Sequence, residues 1–266
     1  MPSPARPPLN VDVLRSAITG TEWRRVDVVD ETGSTNADLI ARAAGGEDIA
    51  GAVLLAEHQT AGRGRHGRSW SAPPRSQISM SFGVDTTGVP PAGWGWLPLL
   101  TGLAVAHTLR EFYGVDAGVK WPNDVMIGSR KLAGILGEVS TPVIVVGLGL
   151  NVEMSADELP DPNALSLSML NHHADRTQLA GSLLQELSSR LRRWRLTGGT
   201  DAGLASDYRE LSTTIGTRVR AILPGDSEII GMATGIDDAG RLLIDTDGHT
   251  VTVSAGDITH LRPAQS

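Results

Sequence analysis

The chain has no cysteine, and of its 23 cationic side chains only Lys120 and Lys131 are lysines. The first absence excludes disulfides, thiolate zinc sites and a cysteine nucleophile, and suits a reducing cytoplasm. The second marks two positions. A chain that takes its bulk charge from arginine keeps lysine where a compact ammonium is needed. Long hydrophobic runs are missing as well. The longest apolar run, 143–150, is too short to cross a membrane. The first ten residues, MPSPARPPLN, lack the apolar stretch of a signal peptide and read as part of a short flexible lead. A third absence is local. No acidic residue occurs from Gln59 to Val84, although the whole chain is net −7.

Inside that acid-free window lies the most informative stretch, EHQTAGRGRHGRSWSAPPRS at 57–76. Gly62, Gly64 and Gly67 alternate with Arg63, Arg65, His66 and Arg68, and Trp70 closes the run. Four arginines without a counter-charge repel one another, so the segment is expected to stay mobile until an anion arrives. Glycines let backbone N–H groups turn toward that anion, and guanidinium groups add charge and forked donors. The plain alternative is a solvated surface loop. A nucleic-acid-binding arginine-glycine tail is disfavoured, because the segment is single, unrepeated and bounded by strand-like runs. The P-loop pattern is absent, and the acidic balance of the chain argues against general nucleic-acid binding.

At 266 residues and 40% hydrophobic content, the chain suits one large domain with room for a small second one. Residues 25–30 alternate as a strand. Ser34-Thr35-Asn36 opens a short helix over 37–44, with Thr35 and Asp38 spaced as a capping box. Strands are expected at 51–59, 77–84, 131–138 and 143–151, and helices at 94–113, 177–196 and 202–212. Lys120-Trp121-Pro122-Asn123-Asp124 places the lysine at a strand end and two polar side chains in the following turn. Gly134, Gly147 and Gly149 thin neighbouring strands. Glycine weakens a strand unless something must come close, so these positions suggest a flat slot. From 217 onward the texture changes to short alternating runs at 218–223, 229–236, 241–245 and 250–254, punctuated by turns such as Pro224-Gly225-Asp226. That is the pattern of a small antiparallel barrel.

Taken in order, Ser-Thr-Asn at 34–36, the glycine-arginine run ending at Trp70, Lys-Trp-Pro-Asn-Asp at 120–124, Lys-Leu-Ala-Gly-Ile-Leu at 131–136 and Gly-Leu-Gly-Leu-Asn at 147–151 resemble the biotin protein ligases. The resemblance covers about residues 25 to 262. It implies an α+β fold, a mixed β-sheet flanked by helices as in class II synthetases, followed by a small SH3-like β-barrel. The expected division is a flexible lead at 1–20, a catalytic domain at 21–213 and the barrel at 214–266. It also implies ATP and biotin as substrates, Mg²⁺, biotinyl-5′-AMP as intermediate, and a lysine on the biotin carboxyl carrier domain of acyl-CoA carboxylases as acceptor. Ser34 lies too near the start for the DNA-binding domain of some relatives, so the chain is similar to the ligase-only class, with no DNA or membrane partner, cytoplasmic, and a monomer or weak homodimer.

Residue by residue, the resemblance puts Ser34, Thr35, Asn36 and Gln59 at the ureido end of biotin with the backbone of Arg63 and Gly64. Gly134, Gly147 and Gly149 form the wall beside its rings. Arg63, Arg65, Arg68 and Lys131 meet the biotin carboxylate and the α-phosphate, and Trp70 stacks on adenine. Asn123, Asp124 and Asn151 serve ATP, with Asp124 as a ligand for Mg²⁺. Arg65, Lys131 and Lys120 are the catalytic cations. The alternatives are a lipoate-protein ligase on a related fold, which would not need a polar set for a ureido group, and a nucleic-acid-binding module.

Overall fold

The computed structural model describes residues 6–225 and 227–264. Asp226 of the expected 224–226 turn and residues 1–5 of the expected lead lie outside them. The large unit is built on a seven-stranded mixed sheet in the order β1-β2-β3-β7-β6-β5-β4. Its strands are β1 (Arg25–Thr32), β2 (Ala52–Gln59), β3 (Gln77–Asp85), β4 (Gly118–Lys120), β5 (Asp124–Ile127), β6 (Arg130–Ser140) and β7 (Val143–Asn151). β1 and β2 run parallel, and every other neighbour is antiparallel. Its helices are α1 (Val11–Ala17), α2 (Thr35–Ala44), α3 (Trp96–Tyr113), α4 (Arg176–Leu196) and α5 (Ala202–Leu211).

Alternation along the strands divides the two faces. Ile78, Met80 and Phe82 of β3, Ile144, Val146, Leu148 and Leu150 of β7, and Ala133 and Ile135 of β6 join the main core with α1, α3 and α4. The opposite face carries α2 over a small second core of Leu39, Ile49, Leu54, Val143 and Val145. Beyond that core, small and polar residues continue the same face in register. Ser81 pairs with Gly147 and Gly147 with Leu136, while Ser79 pairs with Gly149 and Gly149 with Gly134. Apolar contacts stop there, and a slot opens.

The expected flexible lead at 1–20 is corrected from residue 6 onward. Asn10 caps α1, and Leu14 is fully buried. The preceding strap is fixed by a buried ion pair. Arg176 donates to Glu57 at 2.8 Å and to the carbonyl of Pro7 at 2.7 Å, and Glu57 accepts from the Leu9 N–H. Both charged groups are almost wholly buried, so each needs the partners it has. Proline-rich composition hid a segment whose order comes from residues far away in sequence. At α2 the cap is Ser34, whose hydroxyl accepts from the Ala37 N–H; Thr35 is already helical and Asp38 instead takes the Thr32 hydroxyl. The cap is therefore one residue earlier than expected, and the expected capping box does not form, because Ala37 stands at its third helical position.

The C-terminal unit is a five-stranded antiparallel sheet, β11-β10-β9-β8-β12. It comprises β8 (Arg218–Ile222), β9 (Glu228–Ile236), β10 (Leu242–Thr246), β11 (His249–Val253) and β12 (His260–Pro263). Val253 of β11 and Leu261 of β12 share one interior with Val219, Ala233, Leu242 and Ile244, so the two outer strands face a common core as in a small open barrel. The indoles of Trp96 and Trp121 donate to the carbonyls of Asp238 and Gly240, which bind the barrel to the large unit. Among the described residues no helix is long and apolar enough to cross a membrane.

Candidate active site

A cavity of about 840 Å³ opens on the α2 face of the sheet and runs from the start of α2 to the far end of β6. Its lining includes every residue given a binding or catalytic role by the resemblance: Ser34, Thr35, Asn36, Gln59, Arg63, Gly64, Arg65, Arg68, Trp70, Lys120, Asn123, Asp124, Lys131, Gly134, Gly147, Gly149 and Asn151. They come from α2, β2, the glycine-arginine loop, β4, β5, β6 and β7, and the sheet register gathers them.

One end is neutral, buried and already hydrogen-bonded. Gln59 Oε1 accepts from the Thr35 N–H at 2.8 Å, and the Thr35 hydroxyl lies 2.6 Å from Ser81 Oγ. Ser81 donates to Asn36 Oδ1 at 2.6 Å, and Asn36 Nδ2 donates to Glu138 at 2.8 Å. Buried polar groups are costly unless paired, and these are paired with one another. Ser81 and Glu138 were not singled out from the sequence. Both sit at ordinary strand positions, and only the register of β3 and β6 brings them to the slot.

The strand glycines make room for protein side chains. At Gly147 the space a Cβ would need is held by the Asn36 amide, and at Gly149 by the Trp70 indole, which also lies against Gly134. The expected close approach to these strands is thus made, in this structure, by Asn36 and Trp70. A third residue missed by sequence reasoning, Gln77, accepts from Trp70 Nε1 at 2.7 Å and fixes the ring.

The other end is cationic. The loop is folded back on itself, with Gly64 N–H bonded to Arg68 O and Trp70 N–H to Gly62 O. His66 holds a left-handed backbone, φ 55°, at its tip. The expectation that its arginines lack partners is corrected for Arg63 and Arg65, while among the described residues the Arg68 side chain meets only the loop's own Arg65 carbonyl. Arg63 donates to Glu138 at 2.9 Å. Arg65 donates to Asn123 Oδ1 at 3.3 Å and to the carbonyls of Ala255 and Ile258 in the barrel, and the His66 ring lies 2.9 Å from Ile258 O. Arg63 finds its counter-charge in Glu138 and Arg65 finds neutral acceptors, all at remote positions that local composition does not report. Burial, then the neighbouring Arg68, holds the Arg65 guanidinium below its usual value, with Asp124 opposing. Desolvation, followed by Arg68 and Arg262, likewise pushes the His260 imidazole down.

Lys131 Nζ stands between the two ends, 2.5 Å from Asp124 Oδ1 and 5.4 Å from the centre of the Trp70 ring. Its backbone is clamped on both sides, N–H to Asn163 O and C=O to Leu165 N–H. Lys120 lines the cavity and forms no ion pair among the described residues. Asn123 is anchored through Ile135, accepting and donating on the main chain and through its amide. The Asn151 amide donates to Leu165 O at 2.9 Å, so its N–H is committed to the 160–165 segment.

Comparison with known proteins agrees with this layout. Residues 45–154 match the model described as "Biotin/lipoate A/B protein ligase family", and residues 214–261 match "Biotin protein ligase C terminal domain". The chain is 52% identical to a Mycobacterium tuberculosis biotin--[acetyl-CoA-carboxylase] ligase, covering 97% of each chain. It is 34% identical to the Escherichia coli bifunctional ligase/repressor BirA over 97% of this chain and 79% of that one. The structure of the Aquifex aeolicus biotin protein ligase in complex with biotin and ATP superposes with a TM-score of 0.78 at 26% identity, covering 91% of this chain and all of that one. With both of its units matched and identity sustained along nearly its whole length, the chain belongs to the biotin protein ligase family.

Proposed function

We propose that this protein activates biotin with ATP to biotinyl-5′-AMP, releasing pyrophosphate, and then transfers biotin to a lysine of the carboxyl carrier domain of an acyl-CoA carboxylase. The observation that carries the reading is the two-ended cavity. A buried neutral network sized for an uncharged polar head is joined, across Lys131, to a cluster of cations suited to phosphates. The catalytic unit is assigned to residues 21–213 together with the strap from residue 6, and the barrel to 214–266.

In the first step the biotin carboxylate attacks the α-phosphate and pyrophosphate leaves. Two anions must meet, so the barrier is largely repulsion and positioning. Lys131, Arg65 and Arg68 supply fixed positive charge at that junction, and Lys120 adds a cation from the β4 end. Ser34, Thr35, Asn36 and Gln59 orient the ureido head, while Trp70, braced by Gln77, offers its ring to adenine. Asp124 and Asn123 are the oxygen donors that would hold Mg²⁺ on the triphosphate. No cluster of three or more carboxylate, imidazole or thiolate ligands occurs among the described residues. That fits an ion held mainly by substrate phosphates. Bound there, Mg²⁺ neutralises phosphate charge.

In the second step the neutral amine of the carrier lysine attacks the acyl carbon and AMP leaves. The loop, seated on the barrel through Arg65 and His66, keeps water from the activated acyl group. The absence of cysteine supports a cytoplasmic setting. The test is pyrophosphate release by the purified protein on adding ATP with biotin, and its absence when lipoate replaces biotin. Equal turnover with lipoate, or no biotin transfer to a purified carrier domain, would overturn the reading.

A further inference from the structure

One carboxylate joins the two ends of the cavity. Glu138 Oε2 accepts from Asn36 Nδ2 at 2.8 Å and from Arg63 at 2.9 Å. Asn36 belongs to the start of α2, deep in the slot, and Arg63 to the loop that covers it. Glu138 lies on β6, on the slot face with Gly134 and Leu136.

The consequence follows from which groups can donate. A carboxylate only accepts, and so does the carbonyl of Leu136, which takes the same amide at 3.2 Å. Asn36 must therefore turn its NH₂ toward β6 and its Oδ1 toward Ser81. Ser81 then donates to Asn36, and the single proton of the Thr35 hydroxyl is shared between two acceptors in reach, Ser81 Oγ and Gln59 Oε1. Thr35 gives its N–H to Gln59. The sense of the Asn36 and Ser81 hydrogen bonds is thus set by the acceptors of β6, Glu138 at 2.8 Å being the nearer. The same oxygen also holds the guanidinium of Arg63, so the slot can be correctly ordered and the loop drawn down by one group.

We infer that Glu138 is a positioning residue for biotin. It fixes the donor and acceptor pattern of the slot through Asn36 and latches the loop over it through Arg63. Nothing in Glu138 touches the reacting atoms, and its effect travels through these two residues. The inference rests on the assignment of the 34–36 end of the cavity to the biotin head.

The test compares Glu138→Gln, Glu138→Ala, Arg63→Ala and the double variant Arg63→Ala/Glu138→Ala in steady-state pyrophosphate release and in biotin dissociation. Glu138→Ala raises the biotin KM and the biotin off-rate about tenfold, with the ATP KM within about twofold of wild type, because lost contacts appear mainly in dissociation. Glu138→Gln, which keeps one acceptor oxygen, recovers part of the loss. The double variant is within about twofold of the worse single variant, since both remove the same latch. Should Glu138→Ala fail to fold, Arg63→Ala on the loop carries the same expectation for biotin dissociation. A biotin KM and off-rate within about twofold of wild type in Glu138→Ala, or an equal rise in the ATP KM, overturns the inference. Thr35→Val separates the two readings. If it raises the biotin KM while Glu138→Ala does not, the slot stands and the latch fails. If it leaves the biotin KM unchanged, the slot assignment itself fails and the latch with it.

Discussion

The two ends of the cavity are built by opposite means. At the α2 end, Gln59, Thr35, Ser81 and Asn36 are neutral, largely buried and bonded to one another in a chain. At the loop end, Arg65, Arg68, Lys120 and Lys131 are partly exposed cations. Arg65 and Lys131 are balanced by borrowed partners, barrel carbonyls for the first and Asp124 for the second. On the proposed assignment of the two ends, the difference follows from the ligands. A neutral polar head is recognised by groups whose geometry is fixed before it arrives, since any unpaired member would be costly in a buried site. An anion is recognised by charge, and charge must be kept company until the anion comes. Binding at the cationic end is therefore an exchange of partners, and binding at the neutral end is insertion into a finished pattern.

The cationic end is the place to break the comparison most strongly. Lys131→Ala removes the charge that both ends share, and adenylate formation falls by about 2–4 kcal/mol of transition-state stabilisation, roughly 30- to 1,000-fold. Lys131→Arg is also poor, because a planar fork does not replace a compact ammonium 2.5 Å from Asp124. Single-turnover pyrophosphate release within about threefold of wild type for Lys131→Ala removes Lys131 from this role.

Arg65→Gly has a smaller effect on the first step and a larger one on retention. Its guanidinium bridges Asn123 to the barrel carbonyls of Ala255 and Ile258, so its loss leaves the loop held to the C-terminal unit by the His66 ring. Adenylation slows by about tenfold, while biotinyl-5′-AMP escapes faster and acylates bystander lysines. A streptavidin blot of serum albumin incubated with biotin, ATP and each enzyme reads this directly. A variant that still makes adenylate yet labels no more albumin than wild type shows that Arg65 does not retain the intermediate.

The same contrast explains what was legible in the sequence. Cationic residues and glycines cluster locally, so the run from Gly62 to Trp70 and the two lysines stood out from composition alone. Their partners did not. Glu138 lies 75 residues from Arg63, and Ala255 lies 190 from Arg65, distances at which no local pattern operates. The neutral end was half legible. Ser34-Thr35-Asn36 announces itself at a helix start, but Ser81 looks like any serine on an alternating strand until β3 is set beside β7. The large elements were read within a few residues, because their periodicity is strong. Missed were α1, hidden behind proline-rich composition, and the short strands β5 and β12, while β4 was foreseen only as a strand end at Lys120. Of these, β12 ends at Pro263.

The finest test of the comparison lies two residues apart on β3. Ser79 and Ser81 project to the same face and are both buried, at 1% and 0% exposure. Ser81 sits in the middle of the slot network, bonded to Thr35 and Asn36. The Ser79 hydroxyl has no hydrogen-bond partner among the described residues, and its cross-strand neighbour Gly149 is covered by Trp70. Ser81→Ala leaves the Asn36 carbonyl without its donor and costs about 1–3 kcal/mol, the usual loss for stranding a buried polar atom. Ser79→Ala removes a hydroxyl that bonds to nothing and strands no one, so stability stays within about 0.5 kcal/mol of wild type or rises. Denaturant midpoints of the two variants give the answer without any substrate. If Ser79→Ala proves as costly as Ser81→Ala, burial rather than membership of the network governs this face, and the distinction between a finished neutral end and a provisional charged end loses its basis.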